Sequence, residues 1–156
     1  MSHLALLSTI HWNTLNAFLP PELQLPSAPL AGITVLEPGS FQGQATAGLA
    51  WVKTLDAEAL AELPGGDVAK ARTSVRRGKV QLGATADTLD EAEAAGEISA
   101  AEAATARTHT EAAKEFLAVA TSRLNVGNPS LERQDDAANL VGLAEAEIDA
   151  ALAALP

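Results

Sequence analysis

The sequence predicts a mainly α-helical protein, a helical hairpin or small bundle preceded by a proline-rich extended N-terminal arm and a short β-hairpin. Six of the eight prolines lie before residue 66, and proline interrupts both helices and central strands. By contrast, 24 alanines lie in residues 67–156, and alanine has the highest helix propensity. We therefore divide the chain into an arm with the hairpin, residues 1–53, and an alanine-rich helical body, residues 54–156.

The arm opens with apolar residues at helical spacing over residues 3–18. The positions that share one helix face are Leu4, Leu7, His11, Leu15 and Phe18. Such a face either packs into a core or lies on a partner, and the spacing leaves both interpretations open. Residues 20–30 contain four prolines, so we expect this stretch to be extended.

A short β-hairpin is expected at the end of the arm. Residues 33–36 read Ile-Thr-Val-Leu and precede a Pro-Gly turn signal, and residues 46–53 end in Trp-Val-Lys. These runs are typical of strands. Because two strands alone are marginally stable, the hairpin would need to pack on the helices or pair with another chain.

The body is expected to begin with several short helices. Residues 54–63 end before the Pro-Gly-Gly of residues 64–66, and Asp67 can cap a helix that reaches about Lys79, where Gly78 weakens its end. Thr88 and Glu91 have capping-box spacing and predict a helix over residues 88–95. Gly96 then suits a left-handed turn.

Two long helices follow and form the predicted hairpin. Ser99 and Glu102 make a second capping box that opens a helix to about Leu124, and Ser130 can cap a last helix to about Leu155. The expected buried face of the first is Ala106, His109, Ala113, Phe116, Ala120 and Leu124. The expected buried face of the second is Leu140, Ala144, Ile148, Ala151, Leu152 and Leu155.

The formal net charge of −10 disfavours nucleic acid as a partner, because most of the surface would repel phosphate. Half of all lysine and arginine residues nevertheless lie close together in the sequence. This basic island, a candidate contact for an anion or an acidic partner, is Lys70, Arg72, Arg76, Arg77 and Lys79. It contains no aromatic residue on which bases could stack. No segment has the roughly 20 apolar residues of a membrane span, so no membrane partner is expected.

No residue pattern indicates catalysis, a metal or a cofactor. The chain has no cysteine and only three histidines. His3 and His11 would lie about 12 Å apart along a helix, too far to share one metal ion. His109 is interpreted as a hydrogen-bonded interior or interface residue, with a ligand or pH-sensing role as the alternative. The abundant carboxylates are interpreted as a solvated helix face. We therefore expect a protein that is not an enzyme and assign no catalytic residue.

The scarce aromatic and large apolar residues near the N-terminus are candidate anchors for a partner protein. The predicted partner-binding residues are Leu7, Trp12, Leu15, Phe18, Phe41 and Trp51. These features lead to the hypothesis of a non-enzymatic structural or assembly subunit, expected to form a homo-oligomer and to contact other structural proteins. In general layout the chain is similar to small accessory proteins of tailed-phage particles, such as head–tail connectors and capsid-decorating subunits, which implies a virion component. The expected location is therefore the cytoplasm or a virion.

The alternative hypothesis is a regulatory helical adaptor. Its groove between the last two helices would accept a partner helix, and the basic island would contact phosphate or an acidic protein.

Overall fold

The computed structural model describes residues 39–156, which form four α-helices joined by short loops. The helices are α1 (Phe41–Glu62), α2 (Val68–Ala94), α3 (Ala100–Leu124) and α4 (Leu131–Ala153). The prediction of a mainly α-helical body is therefore confirmed. The expected helix over residues 3–18, the extended stretch over residues 20–30 and the strand over residues 33–36 lie outside the described residues.

The four helices form an antiparallel bundle in which each helix packs on the next and α1 also packs on α4. At one end, the side chain of Gln42 donates a 2.6 Å hydrogen bond to the Pro156 carbonyl, and its backbone N–H donates to Glu97 at 2.8 Å. At the other end, the N–H of Gly65 donates to the Gln134 side chain at 2.8 Å. The loops between the helices are short, and short loops place successive helices antiparallel.

Helix α1 replaces the strand that the sequence favoured at residues 46–53, so that prediction is wrong. Buried side chains recur every three or four residues along this helix, which is the period of a helix and not of a strand. They include Ala45, Leu49, Val52, Leu55 and Ala59. The β-prone Trp-Val pair is overridden because these neighbours bury a helical face. Helix α1 crosses residue 53, the position at which the sequence analysis divides the chain.

Helix α2 is continuous over a stretch for which the sequence predicts a helix end at about Lys79 and a new helix start at Thr88. Gly78 lies inside it, where a Cβ atom would be only 3.1 Å from Cδ1 of Leu117 on α3. The glycine therefore permits a close approach of two helices and does not end one. Thr88 is also internal, and its hydroxyl donates to the Ala84 carbonyl at 2.9 Å instead of capping a helix. The predicted helix start at Thr88 is wrong for this reason.

The other capping predictions are confirmed. Ser99 and Glu102 form both bonds of a capping box at the start of α3, and Gly96 precedes them with φ of +71°. Asp67 caps α2, and Ser130 caps α4. Each signal depends only on residues three positions apart, so it survives whatever the helix packs against.

The buried faces of α3 and α4 are shifted slightly from the expected ones. On α3, Thr110 and Leu117 are fully buried, whereas the neighbouring His109 and Phe116 are partly exposed. Thr110 tolerates burial because its hydroxyl donates to the Ala106 carbonyl at 2.8 Å. On α4, Val141 occupies the centre of the face, and Leu140 lies at its edge.

The core combines a few leucine, isoleucine and valine side chains with many alanines. Its fully buried large residues are Leu49, Val52, Leu55, Val75, Leu82, Leu89, Leu117, Leu124, Val141 and Ile148. The alanines allow close helix packing, because they place little volume between the backbones. Along residues 39–156, none of the helices combines the length and apolar character required to cross a membrane.

Candidate functional site

An open groove between α1 and α2 is the candidate functional site, and we call it the Trp51 groove. Its volume is about 510 Å³. The residues that line it are Trp51, Thr73, Arg76, Arg77, Val80 and Gln81. It combines one aromatic, one aliphatic and two cationic side chains at the surface of the bundle.

The groove arises because the helical period points these side chains away from the core. On α1, Gly48 and Val52 are buried against the other helices, so the intervening Trp51 faces outward and is 44% exposed. On α2, Val75 and Gly78 are buried, which leaves Arg76, Arg77 and Val80 outside. Val80 is 71% exposed. The apolar part of the groove is therefore exposed.

Arg77 is positioned by the tryptophan. Its guanidinium carbon lies 5.8 Å from the centroid of the Trp51 ring, within the range of a cation–π interaction. Within the described part of the chain, neither Arg76 nor Arg77 forms an ion pair. Their N–H groups therefore have no carboxylate partner among residues 39–156. An arginine can bind a carboxylate through two parallel hydrogen bonds.

The remaining members of the basic island serve the bundle itself or lie apart from the groove. Lys70 forms a 2.6 Å ion pair with Glu62 across the α1–α2 turn, and this hydrogen bond raises the pKa of Lys70. Arg72 donates to the Val126 carbonyl in the α3–α4 loop at 3.4 Å. Lys79 is partly exposed on α2 but does not line the groove. Among residues 39–156, Arg76 and Arg77 are thus the members of the basic island that are brought together with an aromatic residue.

The predicted partner-binding residues fall into three groups. Leu7, Trp12, Leu15 and Phe18 lie outside the described residues. Phe41 is partly buried against a small apolar cluster at the end of the bundle where α1 begins. Trp51 is the member that the structure places at an exposed site.

Sequence reasoning missed the contributions of Thr73, Val80 and Gln81 to the groove. Val80 follows Arg76 and Arg77 by four and three residues, which is the spacing of neighbours on one helix face. That signal was usable only if α2 was continuous beyond Gly78. The sequence predicts the end of this helix at about Lys79, one residue before Val80.

Asp56 on α1 is a second unusual feature, and it lies inside the core. Its side chain is 0% exposed, and neither carboxyl oxygen has a hydrogen-bond partner among residues 39–156. A Cβ atom at Gly78 would lie 3.7 Å from its Oδ1, so the backbone of α2 passes close to the carboxyl group. Burial, aided by the negative charge of Glu145, raises the pKa of Asp56 to about 7.

His109 joins α3 to α4. Its Nδ1 lies 2.6 Å from Oε2 of Glu147, and each of the two side chains is about one-third exposed. This hydrogen bond agrees with the interpretation of His109 as an interface residue with a satisfied polar group. Within residues 39–156, no three histidine, aspartate or glutamate side chains converge closely enough to hold a metal ion.

Comparisons of the chain with protein-family models, curated protein sequences and solved structures found no match.

Proposed function

We propose that the chain is a non-enzymatic binding subunit of a protein complex and that the Trp51 groove holds an acidic, partly apolar segment of a partner protein. The observation that carries this proposal is the juxtaposition of exposed Trp51 and Val80 with Arg76 and Arg77, which have no acidic partner within the described residues. Tryptophan and arginine are among the residue types that most often dominate the binding energy of protein interfaces.

The chemistry of the groove favours a protein segment over nucleic acid. Two arginines can neutralise only two phosphates, whereas the chain as a whole carries a net charge of −10. Val80 and the tryptophan ring offer apolar surface that a partner's leucine or isoleucine would cover. A segment that alternates carboxylates with aliphatic residues satisfies both parts of the groove.

This proposal is compatible with both functions considered from the sequence. A structural subunit, for example in a virion, would use the groove to hold a neighbouring subunit. A regulatory adaptor would use it to hold a client. The groove differs from the one expected for the adaptor, because it lies between α1 and α2 and not between the last two helices.

Binding of a designed acidic peptide tests the proposal. The probe is a 15-residue fluorescein-labelled peptide of repeated Glu-Leu-Glu units, and its anisotropy is measured at fixed ionic strength with the full-length protein. Trp51→Ala is expected to weaken binding about thirtyfold, and Arg76→Glu or Arg77→Glu at least about tenfold, because each removes a central contact. In a Trp12→Phe background, Trp51 is the single tryptophan of the chain, so its fluorescence reports peptide binding at the groove directly.

Arg133→Glu is the matched control, because it makes the same change in net charge at an exposed position of α4 outside the groove. Binding should be nearly unchanged in this variant. Equal losses in Arg76→Glu and Arg133→Glu would reduce the effect to overall charge and contradict the proposal. A 15-nucleotide single strand that binds more tightly than the peptide, with the same dependence on Arg76, would instead indicate a nucleic-acid site.

A further inference from the structure

A second exposed apolar surface lies between α3 and α4, and we call it the Val119 recess. Val119 is 44% exposed and Leu143 is 50% exposed. The recess has a volume of about 280 Å³, and its lining residues are Val119, Arg123, Asp136, Asn139, Leu140 and Leu143. It shares no residue with the Trp51 groove.

The rim of the recess carries one charge of each sign. Arg123 Nε lies 3.9 Å from Asp136 Oδ2, and both side chains are about half exposed. At this distance the pair is loose, and exposed pairs of this kind contribute little stability within one molecule. Each group therefore retains capacity for a second partner.

We infer that the Val119 recess is a self-association surface whose occupant is a second copy of this chain. A two-fold axis parallel to α3 and α4, in front of the recess, would place α3 of each copy opposite α4 of the other. Val119 of one copy would then contact Leu143 of the other, each Arg123 would face the other copy's Asp136, and every contact would occur twice. An acidic partner would meet Asp136 and a basic partner would meet Arg123, whereas an identical copy complements both.

The charge distribution of the chain supports this choice of occupant. Two molecules that each carry a net charge of −10 repel one another over most of their surfaces. The ionic rim of the recess has no net charge, so two copies can approach there with less repulsion. Because the exposed apolar residues are few, we expect the interface to be small and the dimer to be weak.

Sedimentation velocity of the full-length protein from about 1 to 500 µM tests the inference. The wild-type protein should shift from monomer to dimer, and Leu143→Glu should weaken association at least about tenfold by burying a charge in the contact. Leu131→Glu is the matched control, because Leu131 is a 62% exposed residue of the same helix that does not line the recess. The Leu131→Glu variant should dimerise as the wild-type protein does.

A charge exchange provides the second, independent measurement. Arg123→Asp and Asp136→Arg should each weaken self-association, since each dimer would then bring like charges together. Mixing the two variants should restore association, because the acidic rim of one variant meets the basic rim of the other. The intramolecular pair is broken in both variants, so it cannot account for this rescue.

The inference is overturned if the protein remains monomeric up to 500 µM. It is also overturned if a dimer forms that Leu143→Glu leaves intact, or if Leu131→Glu weakens it equally. These outcomes are separate from the peptide experiment, because none of the variants alters the Trp51 groove.

Discussion

Replacing Asp56 with asparagine is expected to stabilise the protein at pH 8 by about 4 kcal/mol more than at pH 4. In the folded protein, burial raises the pKa of Asp56 from 3.8 to about 7. This rise corresponds to about 4 kcal/mol of folding free energy. Asparagine has nearly the same shape and cannot ionise, so Asp56→Asn removes the pH-dependent part of the cost.

The direction of this pH dependence follows from the protonation of Asp56 in the folded and unfolded states. Between pH 3.8 and about 7 the folded protein keeps the Asp56 proton that the unfolded chain has released. The contribution of neutral Asp56 to stability is therefore complete below pH 3.8, declines as the pH rises and is lost above about pH 7. The wild-type protein should lose stability relative to Asp56→Asn across this interval.

Urea unfolding of both proteins at half-unit steps from pH 4 to pH 8 measures the difference. All other ionisable groups are common to the two proteins, so their contributions cancel in the comparison. Asp87→Asn serves as the control because Asp87 is an exposed residue of α2, and its stability curve should run parallel to that of the wild-type protein. Parallel curves for Asp56→Asn as well would show that Asp56 does not titrate in the core.

Substitution of Gly48 by leucine is expected to lower the free energy of unfolding by about 3 kcal/mol. A Cβ atom at Gly48 would lie 2.5 Å from Oγ1 of Thr85 and 3.0 Å from Nε2 of Gln81. Both neighbours belong to α2, so a full leucine side chain must push α1 and α2 apart. Overpacking of a closely fitted core typically costs 1–3 kcal/mol, and a glycine at a helix–helix contact lies at the upper end.

Gly83→Leu provides a matched control with the opposite expected sign. Gly83 is also helical, but a Cβ atom there would meet no atom within 4 Å. Leucine should therefore raise stability by about 0.5–1 kcal/mol, because glycine is a poor helix former. Urea unfolding at pH 6 measures both variants. Equal stabilisation by the two substitutions would mean that α1 and α2 do not approach closely at Gly48.

Signals that act over three or four residues could be predicted from the sequence. Ser99, Ser130 and Asp67 were identified as helix caps because each cap is a hydrogen bond to a nearby backbone N–H. The sequence also predicts helix ends where the helix continues, because contacts with another helix cannot be read from nearby residues. Gly78 resembles a helix end locally, and only its contact with Leu117 on another helix explains why α2 continues.

The candidate site was predictable in its components but not in its assembly. Arg76 and Arg77 were identified by charge, and Trp51 by the scarcity of aromatic residues. Which cations remain accessible depends on Glu62 and the Val126 carbonyl, which bind Lys70 and Arg72 in the folded bundle. The sequence alone does not show that Lys70 and Arg72 are bound by other parts of the bundle, whereas Arg76 and Arg77 line the groove.

Asp56 lies within the helix predicted over residues 54–63, but that short helix leaves out Val52, which shares the buried face with Asp56. When residues 41–62 are taken as one helix, Asp56 lies four residues after Val52 and three before Ala59, on the buried face. A carboxylate on an apolar helix face is a recognisable signal. It is clearest when the helical period is applied to the whole of residues 41–62.

The hydrogen bonds of Gln42 have a practical consequence for protein engineering. They hold the backbone of Pro156 beside the first turn of α1 and close to the α2–α3 turn. A short linker from residue 156 to residue 39 could therefore close the helical body into a ring, and new ends could be opened in the α3–α4 loop at residues 125–129 without cutting a helix. The bundle is in this respect suited to circular permutation.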